Sequence, residues 1–455
     1  MPDERDPRDI RIEQLERELA EARREIADLK RIVEELLKRQ RKGKRQAHPF
    51  GRDEGKKEAE KKKAGRRAGH QADWRPTPDH IDEEVEARLD GCPHCGGEVC
   101  DIEELLQYVV DLPEIRAHVL RVLTERGWCR RCRKHVRSAH PRQVSRAGGA
   151  AAVALGPKAL ALASELKHQQ GVPYRDVASL FGRYFGLQVT HGALAQASVR
   201  LADKATPDYI ELAEVVRTSP VVHTDDTGWR IARLCAWLWV FATDEVTLYV
   251  IDYRRSADVV LEVLGRDYAG TLVSDGLPAL NALDAAGYLR GQCVGHIIRR
   301  SSEMAEEQTR GAVRFPRELK GFLKDAIELG QARNLLPAAV YAEGVAEIRD
   351  GLRGLVSKDL THPENLKLAK HVYRHQDALL RFLDDEAVPP TNNLAEQELR
   401  GAVVTRKIGG CNRSADHAFA HAVITSLAQT AHRRGETLIP LVARWMQPAA
   451  AGPPS

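Results

Sequence analysis

Two C-x-x-C pairs, Cys92 and Cys95 in "CPHCGG" and Cys129 and Cys132 in "WCRRC", have a spacing that suits metal binding. Two thiolates three residues apart grip one side of a tetrahedral Zn²⁺, and a second pair completes the shell. The competing reading is four unrelated reduced thiols; His94, Cys100 and His135 are further donors within reach in sequence. A closed four-sulfur site is structural and points to a module that binds nucleic acid or protein, without saying which. Cys235, Cys293 and Cys411 lie apart from these pairs and read as buried or incidental thiols.

Carboxylates make the second chemical group. Asp225 and Asp226 close the β-branched run "VVHTDDTG", and Asp275 closes "GTLVSDG". Acids at the ends of neighbouring buried strands repel one another in a low dielectric, and Mg²⁺ is the usual remedy. A pair of such ions supports phosphodiester chemistry by serving both the attacking and the leaving oxygen. A third acid delivered from a helix beside the sheet would complete the cage. Glu396 in "VPPTNNLAEQELR" is the candidate: Pro389-Pro390 stops the preceding element, Thr391 or Asn392 can cap a helix, and Glu396 falls in its first or second turn. Taken alone, the same stretch also reads as a well-capped surface helix.

The elements that must hold these acids follow from periodicity. "PVVHTDDTGWRIA", "AWLWVFATD" and "VTLYVIDYR" predict three antiparallel strands. A helix through "SADVVLEVLG", a fourth strand in "GTLVSDG" and a helix through "ALNALDAAGY" then predict a ribonuclease-H-like α/β core, with its first part over 215–300. Residues 301–385 have helical periodicity and few strand signals, which predicts a helical insertion or a separate helical domain. The catalytic helix and C-terminal helices are expected over 386–440, with one helix ending at Gly435, and a disordered tail over 446–455.

Upstream, apolar residues at Ile12, Leu15, Leu19, Ala22, Ile26, Leu29, Val33 and Leu36 alternate by three and four, which predicts a coiled coil over 8–39. Ile or Val at one seam and Leu at the other favours a parallel dimer, against the alternative of an amphipathic helix packed on the body of the protein. A Lys- and Arg-rich, flexible linker covers 40–75, and the zinc-binding, ribbon-like module covers 76–145 with short strands between its knuckles. Within 150–205, a helix to about Tyr184, a turn at Gly186 and a second helix capped by Thr190 predict a helix-turn-helix, or an ordinary helical hairpin. The order of zipper and basic arm is the reverse of that in basic-zipper DNA readers.

The 455 residues are 43% hydrophobic, enough for several domains, and carry a net charge of only +4, so overall charge names no partner. No apolar run reaches membrane-spanning length, and the charged N-terminus does not read as a signal segment, so no membrane partner is expected. A cytoplasmic, nucleoid-associated chain is expected.

The motifs "HTDDTGWR", "SDGLPAL", "CVGHIIRR" and "TNNLAEQELRGAVVTRKIGGCNRSADHAFAHAVITSLAQTAHRRG" together resemble the insertion sequence 66 family of DDE transposases, over nearly the whole chain. The resemblance implies that Asp225, Asp275 and Glu396 are the catalytic, Mg²⁺- or Mn²⁺-binding carboxylates. It implies that His296 and Arg299 belong to a C-x-x-H-x-x-R element starting at Cys293, and that Arg400, Arg406 and Lys407 are basic positions meeting DNA phosphates. It further implies structural Zn²⁺ at the cysteine pairs, double-stranded DNA (terminal inverted repeats and target DNA) as partner, a homodimer or higher oligomer through the coiled coil, and small accessory proteins of the element. Four positions depart from the family pattern: Asp226 stands for a common Glu, Val294-Gly295 for Trp-Ala, and Thr391 for Asp. The expected reaction is metal-dependent DNA cleavage and strand transfer. The alternatives are a catalytically decayed, transposase-derived DNA-binding protein and a nuclease that only cuts.

Overall fold

The computed structural model describes residues 77–88, 90–113, 115–145 and 153–447. The coiled coil expected over 8–39, the whole basic linker over 40–75 and the tail beyond Gln447 lie outside the described residues. Met446, expected to begin that tail, instead ends a helix, and its side chain is buried there.

The second knuckle sits on a hairpin of β1 (Arg126–Cys129) and β2 (Lys134–Arg137), paired antiparallel. The short strands expected between the knuckles are not found among the described residues of 98–125. The reason is visible in exposure: Leu105, Leu106, Val109 and Val110 all face solvent, and a strand with no partner to bond or pack on does not form.

A helical layer follows. Helix α1 (Pro157–Ser164) runs into a single π-helical stretch, Glu165–Gln169. Helix α2 (Tyr174–Phe185) stops at Gly186, whose φ of 63° gives the left-handed cap that glycine adopts without strain. Helix α3 (His191–Thr218) begins where Thr190 accepts a hydrogen bond from the Ala193 amide at 3.1 Å. The pair is as expected, but α3 runs on past 205, and its C-terminal half buries Ala205, Leu212 and Val216 in the main core. The first turns of α3 stay largely exposed.

The core is a five-stranded mixed sheet in the order β5-β4-β3-β6-β7. Strands β3 (Val221–Ile231), β4 (Leu234–Ala242) and β5 (Thr247–Asp252) form the expected antiparallel meander. Helix α4 (Ala257–Leu264) crosses to β6 (Thr271–Ser274), which pairs parallel with β3. After the short α5 (Ala282–Ala285), a fifth strand, β7 (Leu289–Gln292), adds parallel to β6. Asp225 and Asp226 were expected to close β3, yet the strand continues to Ile231, so both acids lie mid-strand. Their position is set by β4, which pairs with β3 along the whole stretch His223–Ile231.

Helices α6 (Val294–Glu307), α7 (Arg314–Gln331), α8 (Ala338–Val356), α9 (Pro363–Leu379) and α10 (Arg381–Asp384) make the helical insertion. It shares a core with the sheet: Val273 of β6 and Val294 of α6 pack with Leu319, Leu323, Leu352, Val372 and Phe382. Val294, where the family pattern has Trp, is fully buried there, so a smaller apolar group fills the position. The chain then returns through Pro389-Pro390 into α11 (Asn393–Gly409), α12 (Ala415–Arg433) and α13 (Leu438–Met446). Helix α12 covers the β5 edge, its Ser426 and Thr430 hydroxyls accepting from the Tyr249 and Thr247 amides at 2.8 and 3.1 Å. That caps backbone donors an open edge would leave unpaired.

Candidate active site

Side-chain alternation along β3 sorts the two adjacent acids onto opposite faces of the sheet. Asp226 lies on the same face as Val222 and Thr224, and its side chain, 2% exposed, is held by Arg255 at 2.7 and 3.2 Å. Asp225 shares the face of Trp229 and Ile231, which pack against Ala395, Leu399 and Ala402 of α11. The parallel register pairs His223 with Val273, so continuing two residues along both chains puts Asp225 beside Asp275. Asp275 is oriented at the strand end by the Leu277 amide, which donates to its Oδ1 at 3.0 Å.

Glu396 arrives from α11, and this helix is pinned to β3 at both ends. At its start Asn392, completely buried, accepts from the His223 ring Nδ1 at 3.0 Å and donates its amide to the Thr224 carbonyl at 2.9 Å. The expected side-chain cap is therefore not what Asn392 does; its carbonyl accepts from the Glu396 amide at 3.2 Å while its side chain is a tie to the strand. At the far end Arg406 donates to the Thr227 hydroxyl at 3.1 Å and to the Gly228 carbonyl, and Asn412 accepts from the Trp229 indole at 2.8 Å. A 17-residue helix spans about 25 Å at 1.5 Å per residue, and the ties hold it to β3 near both of its ends. Glu396, in the first turn, is thus fixed relative to the strand that carries Asp225.

The electrostatics record the convergence. Burial pushes the Asp225 carboxyl up from an ordinary 3.8 to about 7, and the charges of Asp275, Asp226 and Glu396 push in the same direction, against one hydrogen bond from the Asp226 amide. Like charges gathered in a half-buried site disfavour ionisation, and a divalent cation relieves the repulsion. The donor set therefore fits Mg²⁺ or Mn²⁺, which prefer carboxylate oxygens.

Other expected residues are placed as follows. His296 sits in the first turn of α6 with its Nδ1 3.8 Å from Glu396 Oε1. Arg299 is exposed one turn further along α6. Arg400 and Lys407 are exposed on α11, at four and eleven residues from Glu396, which keeps all three on one side of the helix. Arg406 is half-buried and engaged with β3. Each cysteine pair is locally formed: amides of His94 and Cys95 bond the Cys92 sulfur and lower its pKa, as the Cys132 and Arg131 amides do for Cys129. Amide-to-sulfur bonds of this kind favour thiolate and suit a metal knuckle. The two pairs are not drawn into one cluster; among the described residues, the set of three Cys, His or acidic side chains with all ligand atoms within 4.8 Å is Cys293, His296 and Glu396.

The sequence profile of the transposase IS66 family matches residues 152–420, a span that contains all three acids and the α11 helix that carries Glu396. This chain belongs to the IS66 transposase family. It is also similar to an uncharacterized protein, y4jD, of Sinorhizobium fredii (strain NBRC 101917 / NGR234), at 25% identity over 385 residues, covering 77% of this chain and 73% of that one. For an IS66-family chain, the Asp226–Arg255 pair and the Asn392–His223 tie are features that reading the sequence missed. The only signal for the second was the doubled Asn in "TNN", which also suits a cap. None of the described helices is long and apolar enough to cross a membrane.

Proposed function

We propose that this IS66-family chain cleaves the ends of its element and joins them to target DNA, with Asp225, Asp275 and Glu396 as the metal-binding carboxylates. The observation that carries the reading is the elevated Asp225, pushed to about 7 by burial and by Asp275 beside it, with Glu396 brought in on a helix tied to the same strand. The strand order, three antiparallel strands followed by two parallel ones, supports a ribonuclease-H-like core.

The chemistry is two in-line displacements at phosphorus. Water attacks a phosphodiester at the element end and releases a 3′-hydroxyl; that hydroxyl then attacks a target phosphodiester, displacing a second 3′-oxygen. No covalent enzyme intermediate is required. Mg²⁺ at the three acids would neutralise phosphate charge and make water a better nucleophile. The chain's own part is to hold the acids on a rigid strand and a pinned helix, so that little reorganisation is needed at reaction. Arg400 and Lys407, exposed on the Glu396 side of α11, and Arg299 on α6 would hold the DNA backbone, making affinity steeply salt-dependent.

The exposed first turns of α3 support its use as the groove-reading helix of a helix-turn-helix. Cys92, Cys95, Cys129 and Cys132 would hold structural Zn²⁺, supported by the amide-to-sulfur bonds in each knuckle. Dimerisation through the coiled coil over 8–39 and small accessory proteins complete the proposal. The test is Mg²⁺-dependent nicking of a labelled terminal-repeat duplex by the wild type, Asp225→Asn and Asp275→Asn, with binding measured in parallel. Nicking by the wild type alone, with all three binding the duplex, is expected; binding without nicking by every form, wild type included, would favour a DNA-binding protein instead.

A further inference from the structure

Cys293, His296 and Glu396 are brought together by two helices that start against each other. The Val294 amide at the head of α6 donates to the Pro390 carbonyl at 2.9 Å, just before α11, and the Cys293 amide donates to the Ser274 carbonyl at 2.9 Å, one residue before Asp275. Cys293 is buried, and its Sγ, a ring nitrogen of His296 and a carboxylate oxygen of Glu396 all lie within 4.8 Å of one another. The His296 Nδ1 is shielded from solvent and has no hydrogen-bond partner; the nearest acceptor charge, Glu396 Oε1, is at 3.8 Å, beyond hydrogen-bonding distance. A shielded imidazole nitrogen beside a buried thiol and a carboxylate is a donor arrangement that suits a metal ion.

The donors differ in kind from those of the acid triad. One sulfur, one nitrogen and one oxygen make a borderline-soft set, which selects Zn²⁺ over Mg²⁺, whereas carboxylates alone favour Mg²⁺ or Mn²⁺. Three protein ligands leave a tetrahedral ion one open position, the pattern of sites that exchange a ligand rather than closed structural ones. We propose that Cys293, His296 and Glu396 form a Zn²⁺ site next to the acid triad, sharing Glu396 with it, so that Zn²⁺ bound there competes with Mg²⁺ for that carboxylate and inhibits the reaction. The inhibitory half rests on the function proposed above; the binding half does not.

The test is Co²⁺ titration of the full chain, because Co²⁺ reports thiolate ligation through a charge-transfer band and geometry through its visible spectrum. Wild type, Cys293→Ser and His296→Gln are compared, with circular dichroism as the check on folding. The two pairs upstream would also take Co²⁺, and so would the acid triad, so the readout is stoichiometry against the wild type: Cys293→Ser and His296→Gln should each take up one equivalent per chain fewer. His296→Gln keeps the buried thiol, so it decides the matter if Cys293→Ser fails to fold. Equal uptake by wild type and His296→Gln overturns the proposal. In the joining reaction with Mg²⁺, added Zn²⁺ should inhibit the wild type. If the equivalent is present but no form joins DNA, the functional reading fails and the site stands; if the wild type joins DNA but the equivalent is absent, the site fails and the reading stands.

Discussion

The charge gathered at Asp225 predicts that this acid, proposed above as a metal ligand, destabilises the metal-free protein. Its carboxyl is raised from 3.8 to about 7, chiefly by burial and then by Asp275. For a carboxyl raised on folding, no penalty exists below the unfolded value, where both states are protonated. The penalty grows as pH rises from about 4 and is complete above about 7, when the folded form must ionise too. At 1.36 kcal/mol per pKa unit the ceiling is about 4 kcal/mol, and partial solvent screening brings it to on the order of 2 kcal/mol. Asp225→Asn removes the charge and nearly keeps the shape. Urea unfolding in buffer without added Mg²⁺, followed by tryptophan fluorescence, is a suitable assay, because Trp229, Trp237, Trp239 and Trp445 all pack in or against the sheet core. Asp225→Asn should be more stable than the wild type at pH 8, by an amount that shrinks steadily toward pH 4. Mg²⁺ should stabilise the wild type by about 2.7 kcal/mol at a hundred times its Kd, and the variant far less. A variant no more stable than the wild type at pH 8, or a gap that does not change with pH, would refute the electrostatic reasoning.

Three further outcomes follow from the same geometry. Asn392→Ala leaves the His223 ring and the Thr224 carbonyl without their buried partner, so it should cost about 2–5 kcal/mol and cut joining more than it cuts repeat binding; equal loss of both in urea-stable protein would show that the tie does not position Glu396. Gly171→Ala puts a Cβ 2.6 Å from Thr405 Cα at a φ of +73°, so it should lower stability by more than about 1–2 kcal/mol, and an unchanged unfolding midpoint would mean the helical layer does not bear on α11. Arg255→Gln strips Asp226 of its cation and should cost about 1–3 kcal/mol in the same assay, with no change expected if the pair is idle.

The meander, the helix pair around Gly186 and the helical insertion were legible in the sequence because each is a long run of one period with its turn residues in place. Strand β7 was not, since "LRGQ" has no strand pattern: Arg290 and Gln292 are buried there and bond to the Leu280 carbonyl at 2.9 Å and the His371 ring at 2.8 Å. Such polar burial depends on partners distant in sequence. The length of β3 was underestimated for a related reason, because Asp225 and Asp226 look like a strand end until β4 is paired alongside them. Among the acids, the choice of Asp225 over Asp226 came from resemblance to a family; the alternation of faces supplies the physical reason for it. The exposed apolar stretch between the knuckles read as strands from residue type alone, and without a partner the type was not enough.

The most direct measurement of the three-carboxylate account is joining of a labelled terminal-repeat duplex to plasmid DNA in Mg²⁺ by the wild type and by Glu396→Gln. The account predicts that both bind the repeat and that only the wild type produces joined ends. Joined ends from Glu396→Gln at the wild-type level would contradict it, because the helix pinned across β3 would then deliver a residue the chemistry does not use.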